Sequence, residues 1–268
     1  MTVSTTTAPR TPAPRPRPAR PTCPVVPRSS TRRARVDVEI VIPAYNEAAR
    51  LPRTLRDTVD FLADRPWTSR IVVVDNGSVD ETAAVARAAV RPRGRVDLTV
   101  IGCSRPGKGS AVQRGLMTSG SQFVGFFDAD MATPVETLEA TVRALQDGAV
   151  AVIASRHAPG ARFVQPQPVG RRLGGSAFRA LTRSLVPGVH DTQCGFKFFE
   201  RRAVQRAVAR CRTTGFAFDV ELLAQIQRDG GAIVELPVAW TDHAGSTFHP
   251  VRDGIPSFGA VLSLRSSL

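Results

Sequence analysis

The chain has 268 residues, 42% of them hydrophobic, and a formal net charge of +13. That length can bury the core of one large domain with an appendage, and no run of about 18 consecutive apolar residues offers a transmembrane helix. The N-terminus lacks the apolar segment of a secretory signal, and Cys23, Cys103, Cys194 and Cys211 show no C-x-x-C spacing, so neither a zinc site nor a disulfide framework is expected.

The charge is unevenly placed. Residues 1–35 hold eight arginines and no acid, so the rest of the chain carries about +5 (13 minus 8). This stretch is rich in Thr, Pro, Ala and Arg and buries too little apolar surface to offset its ordering entropy, so it is expected to be a disordered tail. Three roles stay open for it, a solvated extension, an electrostatic anchor to anionic lipid or a targeting segment. A folded domain at about +5 suits anionic small substrates or an anionic membrane surface and does not call for nucleic acid. The expected location is the cytoplasm, peripheral at the inner face of the membrane if the tail is an anchor.

Order is expected from residue 36. Residues 38–43, VEIVIP, read as a strand closed by proline. Asn46 and Glu47 then open an amphipathic helix to about Ala63, with Leu51, Leu55, Val59 and Leu62 at helical spacing. Residues 70–75 form a second, continuously apolar strand, as buried parallel strands are. A turn at residues 76–78 leads to a helix over 80–90, and residues 98–102 form a third strand. The glycine-rich loop 106–109 precedes a helix over 110–118, and residues 123–127 form a fourth strand. A helix over 135–145 and a strand over 149–154 follow. Strands alternating with helices predict a single doubly wound, mostly parallel α/β sheet. Beyond Ser155 come a loop to residue 170, a basic helix over 171–185, a short strand at Phe198 and Phe199, two helices ending near residues 209 and 228, and a last strand over 232–238. The folded domain is expected to span 36–250. Residues 251–268 form an extension whose apolar part, 258–264, is expected to dock on that domain.

Asp75 ends the second strand, and Asp128 and Asp130 end the fourth. In a doubly wound sheet these ends share one crevice, where ligands bind. The pair at i, i+2 suits a hard divalent cation bridging to phosphates, and the lone Asp75 suits a base or ribose. Lys108 stands at a helix start, where free N–H groups also favour an anion. Neither G-x-x-x-x-G-K-[ST] nor G-x-G-x-x-G is present, which weakens an ATPase or dinucleotide reading. The residues favour a nucleotide diphosphate held by metal and carboxylates.

Val41-Ile42-Pro43-Ala44-Tyr45-Asn46-Glu47, Val73-Val74-Asp75-Asn76-Gly77-Ser78, Gly107-Lys108-Gly109 and Asp128-Ala129-Asp130 resemble the successive signatures of family 2 glycosyltransferases with the A-type fold. Ser155-Arg156-His157, Asp191-Thr192-Gln193-Cys194-Gly195-Phe196-Lys197, Gly215-Phe216-Ala217-Phe218-Asp219-Val220-Glu221-Leu222-Leu223 and Glu235-Leu236-Pro237-Val238-Ala239-Trp240 resemble the dolichyl-phosphate β-glucosyltransferase, or polyprenyl-phosphate glycosyltransferase, branch. The resemblance covers about residues 37–250. It implies that Pro43, Tyr45, Glu47 and Asp75 line the uridine pocket and that Lys108 lies near the nucleotide. Asp128 and Asp130 would serve the ribose and a Mg²⁺ or Mn²⁺ on the diphosphate, and Gln193 would border the sugar. Arg156, with Arg171 or Arg172, would grip an acceptor phosphate.

An inverting transfer onto a lipid monophosphate needs no base, only arginines to position the anion. A hydroxyl acceptor needs a general base, for which Asp191, Asp219 and Glu221 are candidates. The branch carries an N-terminal membrane helix where this chain has its Arg/Pro tail, so a polyprenyl phosphate and a soluble hydroxyl acceptor both stay open. His243 and His249 read as loop histidines or as an added metal ligand. A basic binding protein on a degenerate transferase domain is the rival from another class.

Overall fold

The computed structural model describes residues 37–89, 93–164, 169–241 and 255–267. The chain divides into units 1–33 and 34–268, and every described residue lies in the second. The arginine-rich tail, His243 and His249 fall outside the described residues.

In chain order the elements are β1 (Val38–Ala44), α1 (Leu51–Ala63), β2 (Ser69–Asp75), α2 (Thr82–Ala89), β3 (Val96–Gly102), α3 (Lys108–Thr118), β4 (Phe123–Phe127), α4 (Thr137–Gln146), β5 (Ala151–Ser155), β6 (Arg162–Phe163), α5 (Val169–Thr182), β7 (Phe196–Glu200), α6 (Arg201–Val208), α7 (Phe218–Arg228), β8 (Ile233–Pro237), β9 (Ala239–Trp240) and α8 (Ile255–Ser267). Seven strands form one sheet in the order β3-β2-β1-β4-β7-β5-β8. β1 is buried along almost its whole length because helices cover both faces of the sheet. Its side chains alternate between two cores. Val41 packs with Val72, Val74 and Phe126 on one face. Ile40 and Ile42 pack with Ile71, Val73 and Phe127 on the other. A strand buried on both faces reads as an unbroken apolar run, which is why β1, β2 and β4 stood out in the sequence.

The pairing register positions the site. Ala44 pairs with Asp75, and Asp75 with Gly102, so these parallel strands end at one edge. β4 pairs with the other side of β1, Val41 against Phe126, which brings Asp128 to the same edge. The chain therefore winds outward from β1 in both directions, and the crevice lies where the direction switches.

Two expectations need correction. The short strand at Phe198 and Phe199 is a full strand, β7, and it runs antiparallel between β4 and β5. Gly125 makes that close approach possible, since a Cβ there would stand 2.3 Å from Lys197 O and from the Phe198 ring. The first helix begins at Leu51, not Asn46, because Asn46 takes a left-handed backbone with φ 55°. Its side chain instead accepts from Val79 N at 2.9 Å, and its N–H donates to Ser78 Oγ.

The C-terminal segment docks as expected. Val261 and Leu264 are buried, and Phe258 meets the Phe178 ring edge-on at 5.2 Å. Among the described residues no helix is long and apolar enough to cross a membrane.

Candidate active site

One side of the crevice is built on the ends of β1, β2 and β4. Asn76 clasps the following loop: its Nδ2 donates to Cys103 O at 3.2 Å and Arg105 O at 2.8 Å, while its Oδ1 accepts from Gly107 N at 2.8 Å. Gly107 has φ 110°, and a Cβ on it would lie 2.4 Å from Thr214 O. The loop thus turns tightly into α3 and delivers Lys108, whose Nζ meets Asp128 Oδ1 at 2.6 Å. Burial disfavours the ammonium, but Asp128, Asp219 and Asp130 outweigh it and raise the Lys108 pKa. The lysine is a fixed cation.

Asp128 also receives Gly195 at its back. The backbone N–H of Asp128 donates to Gly195 O at 3.0 Å, and a Cβ on Gly195 would lie 1.9 Å from Asp128 Oδ2. Asp130 Oδ1 accepts from Ala132 N at 3.1 Å, helped by the left-handed Met131 with φ 55°. Burial first, then the neighbouring Asp128, push the Asp130 carboxyl above its ordinary range. No group of three or more His, Cys, Asp or Glu suited to a metal occurs among the described residues. The acid pair still fits Mg²⁺ or Mn²⁺, because such an ion uses one or two carboxylates and takes its other ligands from phosphate and water.

The other donor-side candidates are near but differently engaged. Asp75 Oδ1 accepts from Ser78 N at 3.3 Å, and a cavity of about 880 Å³ reaches from Asp75 and Gly77 past Arg105 to α3. Tyr45 is exposed and Pro43 half-buried at the rim. Glu47 is buried and takes a bidentate ion pair from Arg50 at 2.7 and 2.6 Å. Arg50, not among the residues singled out from the sequence, keeps a buried Nη1 with no hydrogen-bond partner among the described residues. It counts among the charges that lower the Asp130 carboxyl, against burial and Asp128.

The three candidate bases are each engaged by other groups of the protein. Asp191 is 1% exposed and grips Arg156 through its Nε at 2.7 Å, Nη2 at 2.9 Å and backbone N at 2.9 Å. Burial alone would raise the Asp191 carboxyl; the Arg156 guanidinium outweighs it and holds the group well below the ordinary range. Asp219 is salt-bridged at 2.6 Å to Lys197, which is fully buried and also donates to Cys194 O. Glu221 accepts from Arg212 N at 2.9 Å and Thr213 N at 2.8 Å. All three carboxyl groups are already spent on structural contacts.

Their spending has a use. Glu221 fixes residues 212–213, Ser110 N donates to Thr214 O at 3.2 Å, and Gln193 Nε2 donates to Phe216 O at 3.3 Å. The segment before α7 therefore ties the Lys108 loop to the Gln193–Lys197 stretch. The Cys194 thiol lies beneath, pushed up to about 11 by burial, and is unsuited to nucleophilic work.

On the far side, Arg156 Cζ lies 5.4 Å from the Trp240 ring centroid, and Phe163 packs edge-on to Trp240 at 5.8 Å. β6 and β9, unforeseen in the sequence, pair to make this shelf, with Phe163 and Val164 exposed on it. Arg156 keeps N–H groups without a partner among the described residues. Arg171 and Arg172 lie in α5, and their side chains fall outside the described residues.

The switch-point acids, the seven-stranded sheet and its single antiparallel member define an A-type glycosyltransferase fold. Among solved structures the chain is similar to glucosyl-3-phosphoglycerate synthase from Mycobacterium tuberculosis in complex with Mn²⁺, uridine diphosphate and phosphoglyceric acid. The TM-score is 0.66 at 21% identity, covering 87% of this chain and 78% of that one. The model of the glycosyl transferase family 2 matches residues 39–207. The dolichyl-phosphate beta-glucosyltransferase of Dictyostelium discoideum is 30% identical over 241 residues, 85% of this chain and 73% of its own. The human enzyme of that name is 34% identical over 227 residues, 80% of this chain and 70% of its own. The chain belongs to glycosyl transferase family 2 and is a glycosyltransferase.

Proposed function

We propose that this enzyme moves glucose from UDP-glucose to the phosphate of a polyprenyl phosphate, with inversion at the anomeric carbon. The observation that carries the reading is the engagement of Asp191, Asp219 and Glu221 with Arg156, Lys197 and the Arg212–Thr213 backbone. With no uncommitted base among these acids, the acceptor is one that needs none, and a phosphate is already an anion. Two further facts support it. Arg156 holds N–H groups without a partner among the described residues, and Phe163, Val164 and Trp240 offer apolar surface beside it. A polyprenyl phosphate has both halves. The relatives named for dolichyl phosphate point to the same acceptor class.

In this reading Pro43, Tyr45, Glu47 and Asp75 line the nucleoside pocket, Lys108 stands by the nucleotide, and Gln193 borders the sugar. Asp128 and Asp130 would hold Mg²⁺ or Mn²⁺, which when bound supplies charge neutralisation for the departing diphosphate. Arg156, aided by Arg171 or Arg172, orients the acceptor phosphate. One phosphate oxygen forms the new bond to the anomeric carbon as the bond to UDP breaks, and UDP leaves with that electron pair. Asp128 also keeps Lys108 pointed at the site.

The test compares farnesyl phosphate with farnesol at saturating UDP-glucose. Transfer to the phosphate alone is expected. Transfer to farnesol or to a soluble hydroxyl compound, with none to the phosphate, would replace this acceptor by one requiring a base.

A further inference from the structure

Glu235 lies on β8, the edge strand beside β5, which leads directly into Arg156. Its side chain is 10% exposed, and its carboxylate holds the segment that carries Asp191. Oε1 accepts from Asp191 N at 3.0 Å; Oε2 accepts from His190 N at 2.8 Å and lies 2.6 Å from His190 Nδ1. β8 pairs in parallel with β5, Glu235 beside Ile153, and β5 ends at Ser155, next to Arg156. One carboxylate therefore ties the 190–191 turn to the same sheet edge from which Arg156 emerges.

We propose that Glu235 is a positioning residue for Arg156, acting through Asp191, and so sets how tightly the acceptor phosphate is held. Asp191 spends its oxygens on Arg156 and on Gln193 N at 3.2 Å. Its own backbone is fixed by Glu235. Without Glu235, two adjacent N–H donors lose their acceptor, the turn is free to shift, and Asp191 carries Arg156 with it. Among the described residues the ring contact of Arg156 is with Trp240, which restrains the plane of the guanidinium but not its reach. The inference rests on the proposed role of Arg156 at the acceptor phosphate.

The experiment uses the full chain as wild type, Glu235→Ala, Glu235→Gln, Arg156→Ala and the Glu235→Ala/Arg156→Ala double variant. The first readout is KM for farnesyl phosphate and kcat at saturating UDP-glucose, with UDP affinity by calorimetry. Glu235→Ala is expected to raise the acceptor KM about tenfold, leaving kcat within about twofold and UDP affinity unchanged. Arg156→Ala raises it at least as much, and the double variant adds nothing further, as a shared route requires. Glu235→Gln, equal in shape but presenting N–H to one of the donors, falls between and serves if the alanine variant does not fold. The second readout needs no acceptor: hydrogen exchange at Arg156 Nε, identified by its loss in Arg156→Ala, is expected to quicken at least tenfold in the Glu235 variants. Unchanged exchange and unchanged KM in the Glu235 variants, with KM raised in Arg156→Ala, would overturn the inference alone. Unchanged KM in Arg156→Ala would overturn the acceptor reading of that arginine and this inference with it.

Discussion

At the scale of single residues, the site depends on contacts too close to tolerate an added methyl group. Gly195 stands against Asp128, so that a Cβ would fall 1.9 Å from Oδ2. Gly195→Ala must push the carboxylate out of place, loosening its pair with Lys108. Since a displacement of about 1 Å in a reacting geometry can cost about 10²-fold, kcat/KM for the donor should fall by about that factor with little change in melting temperature. Steady-state kinetics and a thermal melt on one preparation would check both parts. Asp130→Asn removes the outer carboxylate charge and should abolish the Mn²⁺-promoted gain in UDP affinity, read by calorimetry with and without the ion; a retained gain would move the cation elsewhere. Much of this level was legible in advance. Asp75, Asp128, Asp130 and Lys108 do converge, because strand ends in a parallel sheet share an edge whatever the intervening sequence. The partners of Asp191, Asp219 and Glu221 were not legible. Asp191 meets Arg156 across 35 residues and Asp219 meets Lys197 across 22, distances at which spacing carries no pairing information. Asn76, set aside as a turn residue, proved to clasp Gly107 across 31 residues.

At the scale of elements, β7 is the decisive departure. Its sequence, FKFFE, carries a charge at its second residue, Lys197, which argues against a buried strand. The charge is accommodated because Lys197 turns its ammonium to Asp219 and Cys194 O, and also lies 5.3 Å from the Phe126 ring centroid. Gly125→Ala would drive a methyl group into Lys197 O and the Phe198 ring, and should cost about 3 kcal/mol or more in chemical denaturation, at the upper end for overpacking. The link from β5 to the 190–191 turn has a pH signature. The Asp191 carboxyl lies below its unfolded value, so its contribution is complete above about pH 4 and is lost as pH falls through the folded value. Asp191→Asn should therefore be less stable at pH 7 by about 3–5 kcal/mol, having left the Arg156 charge buried without its partner. Below about pH 4 its stability should fall less steeply than that of the wild type. Parallel denaturation curves across that range decide the matter.

At the scale of the whole molecule, the fold was legible because one rule, continuous apolar strands alternating with amphipathic helices, holds from β1 to β5. It failed after Ser155, where β6 and β9 are two residues each and carry no period long enough to read. Those short strands nonetheless build the aromatic shelf beside Arg156, the feature that most favours an amphipathic acceptor. The overall charge of +13 falls to about +5 without residues 1–35 (13 minus 8). Deleting them should weaken binding to anionic vesicles and make it less salt-sensitive, with UDP affinity unchanged, because each basic residue near such a surface adds up to about 1 kcal/mol. Vesicle co-sedimentation at two salt concentrations checks this.

The most direct test of the central claim is transfer of labelled glucose from UDP-glucose in parallel reactions with and without a polyprenyl phosphate, each repeated with EDTA. The account predicts label in the lipid phase only where the lipid phosphate is present, and its loss with EDTA. Label appearing in a water-soluble product, with none in the lipid, would contradict it.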